Sequence, residues 1–325
     1  MLSLSQAQQR VVNIFRVQKN ISEILKQAVK DAGLRGKHKI FVKPNMSHPE
    51  YVPGVVTDPA LVYELVSLLR EEAEEVIVGE SNGFNYPCRS AFEKTGIETA
   101  AKKAGGTVIN LSEDQLVKVK TPSESSPLKH LLLPKTVLEA DAVVDLALMK
   151  THEFTMYSGA IKNLFGCVPD NRRIYLHPYL NNVFYFLYSV LKPQLTIIDA
   201  RVALEGNGPT KGKPVNMNLM LTSNDALATD VIASRIMGLK IEEVSYLNYI
   251  VKKTGLRQDG IMINGLQVCD VARSFERPRI DLPVRAQMEI YKHEFLTKVF
   301  FCSLDIVKLF QKVTNAYRDQ TKEPN

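Results

Sequence analysis

A chain of 325 residues, 45% hydrophobic and 23% charged, has ordinary globular composition and length enough for two domains or one large one, with a core that needs no disulfide or metal staple. The formal net charge of +6 is spread rather than gathered into a Lys/Arg block, which argues against nucleic acid and fits an acidic or phosphorylated small ligand, or simply a solvated basic surface. The four cysteines, Cys88, Cys167, Cys269 and Cys302, are far apart, which excludes zinc-ribbon and ferredoxin-type cluster motifs and suits a reducing compartment.

The opening M-L-S-L-S-Q-A-Q-Q-R lacks a charged region followed by an apolar run, so no signal peptide is expected. No apolar stretch reaches the roughly 18 residues of a membrane span, and a soluble, cytoplasmic protein is expected. Ile21 to Gly33 is helical in pattern and ends on glycine. Lys39 to Val42 is a short strand stopping at Lys43-Pro44-Asn45, and Asp58 caps a helix that has Pro59 at its first position. Val76 to Val78 and Thr107 to Leu111 are further strands, with helical patterns between them. This rhythm predicts a parallel sheet covered by helices, with ligands beyond the carboxyl ends of the strands. Thr121 to Leu128 reads as a loop. Ala142 to Met149 is a nearly continuous apolar run, expected as a central strand that feeds a loop at Lys150-Thr151-His152. Tyr179 to Leu191 and Ala226 to Met237 are helical; Leu195 to Ile198 and Met217 to Leu221 are strands. Phe295 to Val313 is amphipathic, expected to pack on the body, with a homodimer, a redox partner or a membrane surface as the other uses of such a face.

Chemistry concentrates at Lys150 to Gly166, K-T-H-E-F-T-M-Y-S-G-A-I-K-N-L-F-G. Ser158-Gly159 opens a helix bearing Lys162 and Asn163, and a helix start with free amides beside lysines suits an anion. His152 can exchange protons or bind metal; a capped helix start with a surface histidine is the plain alternative. His177, in Y-L-H-P, is a second candidate ligand. Asp199 ends a strand, and Glu205 opens Gly206-Asn207-Gly208-Pro209, where glycines allow close approach of a ligand or merely form a turn. Asp230 is a weaker candidate carboxylate. Glu80 and Asn82 follow a strand as a base, a ligand or an ordinary turn; Lys43 and Asn45 suit anion binding. No Walker A, GxGxxG, GxSxG or HExxH pattern is present.

The segments V-K-P-N, T-D-P-A-L-V, V-G-E-S, K-T-H-E-F-T-M-Y-S-G-A-I-K-N-L-F-G-C-V-P, I-I-D-A, E-G-N-G-P-T-K-G and A-T-D-V-I-A-S-R-I-M-G resemble domain-of-unknown-function family 362 over about Ile40 to Gly238. Many members of that family carry a ferredoxin-like iron–sulfur segment, whose cysteines this chain lacks. His152, S-G-A-I-K ending at Lys162, and His177 are also similar in order and spacing to nickel-pincer lactate racemases. There the first histidine is an acid/base, the lysine carries the pincer nucleotide and the later histidine binds nickel. Glu80 stands where those enzymes place a second histidine, and Thr57-Asp58-Pro59 replaces an arginine-bearing segment.

Together these readings predict an α/β fold with two Rossmann-like lobes and a cleft near 150–177, within residues 1–275, and a helical extension over 276–325. They predict an enzyme moving a proton or hydride on a small anionic substrate, dependent on a divalent metal or a metal–nucleotide cofactor. His152, Glu80 and Lys162 would be catalytic. Lys43, Asn45, Lys150, Thr151, Ser158, Gly159, Asn163, Gly206, Asn207 and Gly208 would bind the cofactor, and His177, Asp199 and Glu205 the metal. The alternative is a non-catalytic protein that handles metal or iron–sulfur clusters and docks a partner.

Overall fold

The computed structural model describes residues 10–83, 86–121, 126–169 and 173–301, together with 305, 306, 308, 309, 312 and 313. The opening segment, part of the 121–128 loop and parts of 295–313, with Cys302, lie outside the described residues. In chain order the elements are β1 (Val11–Arg16), α1 (Ile21–Asp31), β2 (Lys37–Pro44), α2 (Pro59–Glu72), β3 (Ala73–Glu80), α3 (Cys88–Thr95), α4 (Ile97–Lys103), β4 (Thr107–Asn110), β5 (Leu116–Lys120), β6 (His130–Pro134), α5 (Lys135–Leu138), β7 (Ala142–His152), β8 (Met156–Ser158), α6 (Ala160–Asn163), α7 (Leu180–Leu191), β9 (Leu195–Glu205), β10 (Lys213–Ser223), α8 (Ala226–Ile236), α9 (Ser245–Thr254), β11 (Met262–Gly265), α10 (Val268–Val271), α11 (Leu282–Tyr291) and α12 (Glu294–Phe300).

The fold is α/β. Nine strands form one sheet in the order β11-β1-β10-β9-β7-β2-β3-β4, with β8 folded back on β7, while β5 and β6 pair separately. β10 runs antiparallel to both β1 and β9; the run β9-β7-β2-β3-β4 is parallel. The sheet is continuous from β11 to β4, so any two halves of the chain share it rather than carrying a sheet each.

Both faces are covered because alternate residues of the central strands are apolar on both sides. Ile40, Val42, Val76, Val78, Val144 and Leu146 pack with residues of α1 and α2, whereas Phe41, Ile77 and Val143 pack with Val183, Phe186 and Leu187 of α7. A third cluster joins Ala147, Met149 and Ile198 to Val231 and Ile232 of α8.

Lys150, Thr151 and His152 belong to β7, not to a loop after it. The chain then reverses through Glu153, Phe154 and Thr155 into β8, pairing Lys150 with Ser158 and His152 with Met156. Met156 closes this hairpin at φ 64°, a left-handed backbone that costs a non-glycine residue roughly 1 kcal/mol. Asp58 caps α2 as expected, accepting from the Ala60 amide. Ser158 does not cap α6: the first amides of that helix, Ala160 and Ile161, donate to the buried carboxylate of Asp230 at 2.7 and 2.9 Å. Tyr157 donates its hydroxyl to the same carboxylate at 2.9 Å. A Cβ at Gly159 would overlap both Tyr157 and Asp230, so glycine is needed there.

The tail is only partly packed. Tyr291 and Phe301 are buried against Ile174, while Phe295 and Val299 stay 75% and 49% exposed. Among the described residues no helix is long and apolar enough to cross a membrane.

Asp230→Ala leaves two amides and a hydroxyl without an acceptor in a dry interior. It is expected to cost about 3 kcal/mol, read from urea unfolding, with Asp230→Asn milder because it keeps one acceptor oxygen. An Ala variant as stable as the parent would show that these contacts do not hold α6.

Candidate functional site

The carboxyl ends of β2, β3 and β7 meet at a cavity of about 400 Å³. Asn45 lies just past β2, Glu80 and Ser81 at the end of β3, Lys150 and His152 at the end of β7, and Lys162 and Asn163 on α6. A 3₁₀ segment, Arg173–Tyr179, adds Arg173 and His177; α11 adds Gln287 and Tyr291. Phe154, Phe165 and Phe184 supply apolar wall.

Polar groups beneath the cavity are tied in one chain of hydrogen bonds. Asp145, fully buried in β7, accepts from Asn163 Nδ2 at 2.7 Å, and Asn163 Oδ1 accepts from Asn45 Nδ2 at 3.0 Å. Asn45 Oδ1 accepts from Lys150 Nζ at 2.7 Å, and Lys150 also donates to Ser47 Oγ at 3.0 Å and Val55 O at 2.8 Å. These three neutral acceptors use every proton of an ammonium. Burial, then the charges of Lys162 and Lys43, push the Lys150 pKa well down. Asp145 is pushed well up by burial, and its second oxygen has no hydrogen-bond partner among the described residues.

Lys43 is buried behind the cavity, not on its wall. Its ammonium pairs with Glu80 Oε2 and donates to Pro44 O at 2.7 Å. Glu80 Oε1 accepts from the Ser81 amide at 2.9 Å. A Cβ at Gly166 would fall inside the Lys43–Glu80 pair, which explains a glycine there. Glu80 is thus engaged at both oxygens, as the counter-ion of Lys43.

The two histidines differ in tautomer. The Phe154 amide donates to His152 Nδ1 at 3.1 Å, so Nδ1 accepts and the ring proton of the neutral form sits on Nε2. His177 Nδ1 lies 2.8 Å from Ile174 O, a carbonyl that can only accept, so Nδ1 carries the proton and Nε2 the lone pair. Burial, then Lys162, Lys150 and His177, lower the His152 pKa well below its usual value. Burial lowers His177 to about 4, against the opposing hydrogen bond to Ile174. Tyr291 stacks on His177 with ring centroids 4.2 Å apart, and the edges of Phe154 and Phe165 flank it.

Lys162 Nζ has no hydrogen-bond or ion-pair partner among the described residues, and burial, then Arg173, lower its pKa to about 8. Arg173 donates to the carbonyls of Asn82 and Phe165 and lies over the Phe165 ring at 5.7 Å.

Several expected ligands lie elsewhere. Thr151 is fully buried and donates to Gly206 O at 2.8 Å and Leu204 O at 3.3 Å. Gly159 caps α6 behind Ser158, which does line the cavity. The 205–208 loop is a structural lash. Gly206 N donates to Glu276 O, Asn207 accepts from the Arg279 amide, and Gly208 packs on Thr151; only Pro209 reaches the cavity. The metal set is not assembled with His177. Asp199 is held by Arg201, which also reaches Asp58, and Glu205 accepts from Arg273 and the Glu276 amide. Among the described residues no group of three His, Cys, Asp or Glu is placed to hold a metal ion.

Arg173, Tyr291, Phe165 and Asp145 are not among the expected site residues. Arg173 had a signal, a cation one helical turn before His177; Asp145 had another, a carboxylate inside the apolar run A-V-V-D-L-A-L-M. Tyr291 comes from a helix far along the chain and had none.

A histidine that is neutral when folded but protonates freely when unfolded stabilises the fold fully above pH 6.5 and loses that contribution as pH falls through about 4. Stability should therefore drop on acidification over this window, by on the order of 2 kcal/mol more in the parent than in His177→Gln. Equal acid slopes in urea unfolding of the two proteins would contradict a buried neutral His177.

A family model described as "Domain of unknown function (DUF362)" matches residues 40–235. A thylakoid-associated protein of Synechocystis sp. is 29% identical over 211 residues, 62% of this chain, and the chain spans only 63% of that relative's length. The lactate racemase apoprotein from Thermoanaerobacterium thermosaccharolyticum superposes with a TM-score of 0.45 and 17% identity, covering 71% of this chain and 58% of that one, a likeness too loose to carry over any residue. The family model spans well over half of the 325 residues, and this chain belongs to the family of that domain of unknown function, DUF362.

Proposed function

We propose that the cavity binds a small organic anion and exchanges a proton with it, His177 Nε2 acting as general base and His152 Nε2–H as the hydrogen-bond donor that steadies the charge that develops. The supporting observation is the composition of the cavity's lining. Among the described residues, Lys150, Lys162 and Arg173 line it with a single carboxylate, Glu80, which Lys43 already balances. Among the described residues the lining therefore has cationic side chains in excess of carboxylates, next to two neutral histidines that present opposite faces of proton chemistry. Aromatic walls keep water scarce and strengthen these interactions.

A metal held by His177 with Asp199 and Glu205 does not fit, because both carboxylates are taken by arginines and amides outside the cavity. A nucleotide cofactor of the kind the resemblance implies would be held by the Lys162 amine, which has no partner among the described residues and lines the same cavity as His177, and would add hydride transfer to the site's chemistry. The reading of a non-catalytic protein that docks a partner draws on the exposed Phe295 and Val299 of α12. It predicts full function after His152→Gln and loss after Phe295→Ser, the reverse of the enzyme reading.

Calorimetry with small mono- and dicarboxylates and with inorganic phosphate should detect binding that weakens about tenfold or more in Lys162→Met, a loss of about 1.4 kcal/mol. Affinity should hold below the Lys162 pKa of about 8 and fall as pH rises through it, because the ammonium loses its charge. Binding unchanged up to a pH of about 9 would contradict the assignment. In deuterium oxide a bound carboxylate substrate should exchange a C–H proton, at least about a hundredfold more slowly in His177→Gln. Ligands that bind without any such exchange would leave an anion-binding protein and remove the catalytic half of the reading.

A further inference from the structure

Among the described residues, three of the four cations around the cavity are already committed. Lys150 spends its donors on Asn45, Ser47 and Val55, Lys43 on Pro44 and Glu80, and Arg173 on the carbonyls of Asn82 and Phe165. Lys162 alone faces the cavity with a nitrogen that nothing in the described residues engages. An ammonium that awaits an anion needs that freedom, and so does a nucleophile, whose lone pair must be unoccupied.

We propose that Lys162 captures the substrate covalently: its amine adds to the carbonyl of a small 2-oxo acid and forms an imine. The substrate class follows from neighbours. Arg173 places positive charge for a carboxylate in the same cavity as the Lys162 amine, which suits a ligand that carries both a carboxylate and a carbonyl. His152 Nε2–H can polarise the carbonyl oxygen without losing its proton, and His177 Nε2 can accept one. A pKa of about 8 leaves a useful fraction of the Lys162 amine unprotonated near neutrality.

The step balances without any oxidant or reductant. A C–N bond forms from the Nζ lone pair and the C=O bond breaks. Both hydrogens of the neutral amine leave with the carbonyl oxygen as one water, His177 carrying them in turn. The imine then acidifies the C–H next to the former carbonyl, which is the proton the acid–base reading above requires; the inference rests on that reading.

The experiment treats the full chain with pyruvate and sodium cyanoborohydride and maps the reduced adduct by peptide mass spectrometry, with propionate as a carboxylate that has no carbonyl. The expected result is an adduct at Lys162 forming at least tenfold faster than at any surface lysine. Propionate should suppress it, and Lys162→Arg should lack it while keeping the parent's thermal melting point. Adducts spread evenly over exposed lysines would overturn the proposal. So would propionate binding with no adduct at Lys162, which leaves the anion-binding reading standing. Binding of neither acid would overturn both. Intact mass above the sequence mass in protein from its native source, with the excess on Lys162, would show the amine already occupied and would also overturn the proposal.

Discussion

A carboxylate buried at no exposure must be given donors, and Asp230 receives three: the Tyr157 hydroxyl and the amides of Ala160 and Ile161. The rest of the site depends on this contact. α6 is a single turn of four residues, too short to be stable alone. Held at its first amides by a side chain of α8, it can present Lys162 and Asn163 to the cavity. The helix start that might have received an external anion is therefore already filled from within, and anion binding falls to side chains instead.

The second constraint is the cost of burying charge. Lys43 answers Glu80, and Lys150 answers three neutral oxygens from the loop after β2. Thr57 keeps that loop in place, its amide donating to Asn45 O and its hydroxyl accepting from the Asn45 amide. The V-K-P-N and T-D-P segments thus meet in space, and Asn45, with Ser47 and Val55 from the loop between them, accepts the protons of a lysine buried at the end of β7. Asp145, Asn163 and Asn45 extend the same network beneath the cavity, coupling α6 to the strand ends. What is left over, the Lys162 amine and the two Nε2 atoms, is what the network does not need.

Local pattern carried much of this architecture. The apolar strands at Ile40, Val76, Val144 and Ile197, the Asp58-Pro59 helix start and the helix after Asp225 follow from alternation, capping residues and period, all of which are properties of neighbouring residues. β1 and β11, at one edge of the sheet, were not legible, because short strands owe their existence to partners distant in sequence; the β5–β6 pair was not read either, although its strands flank the loop that was. Lys150 to His152 read as loop because polar residues after an apolar run usually are. Here the strand continues, because Asn45, Ser47, Val55, Leu204 and Gly206 satisfy it from far away in the chain. His152, Lys162, His177 and Glu80, which the concentration of polar residues singled out, line one cavity. Asp199, Glu205 and the 206–208 loop show the limit of that reasoning: carboxylates and glycines at strand ends serve ion pairs and turns as readily as ligands.

Proton transfer in the cavity turns most directly on the protonation of the two histidines. Long-range proton–nitrogen correlation spectra of protein labelled with 15N-histidine report which ring nitrogen carries hydrogen. At neutral pH the account predicts two neutral rings of opposite tautomer, His152 protonated at Nε2 and His177 at Nδ1. Matching tautomers, or an imidazolium at either position, would contradict it.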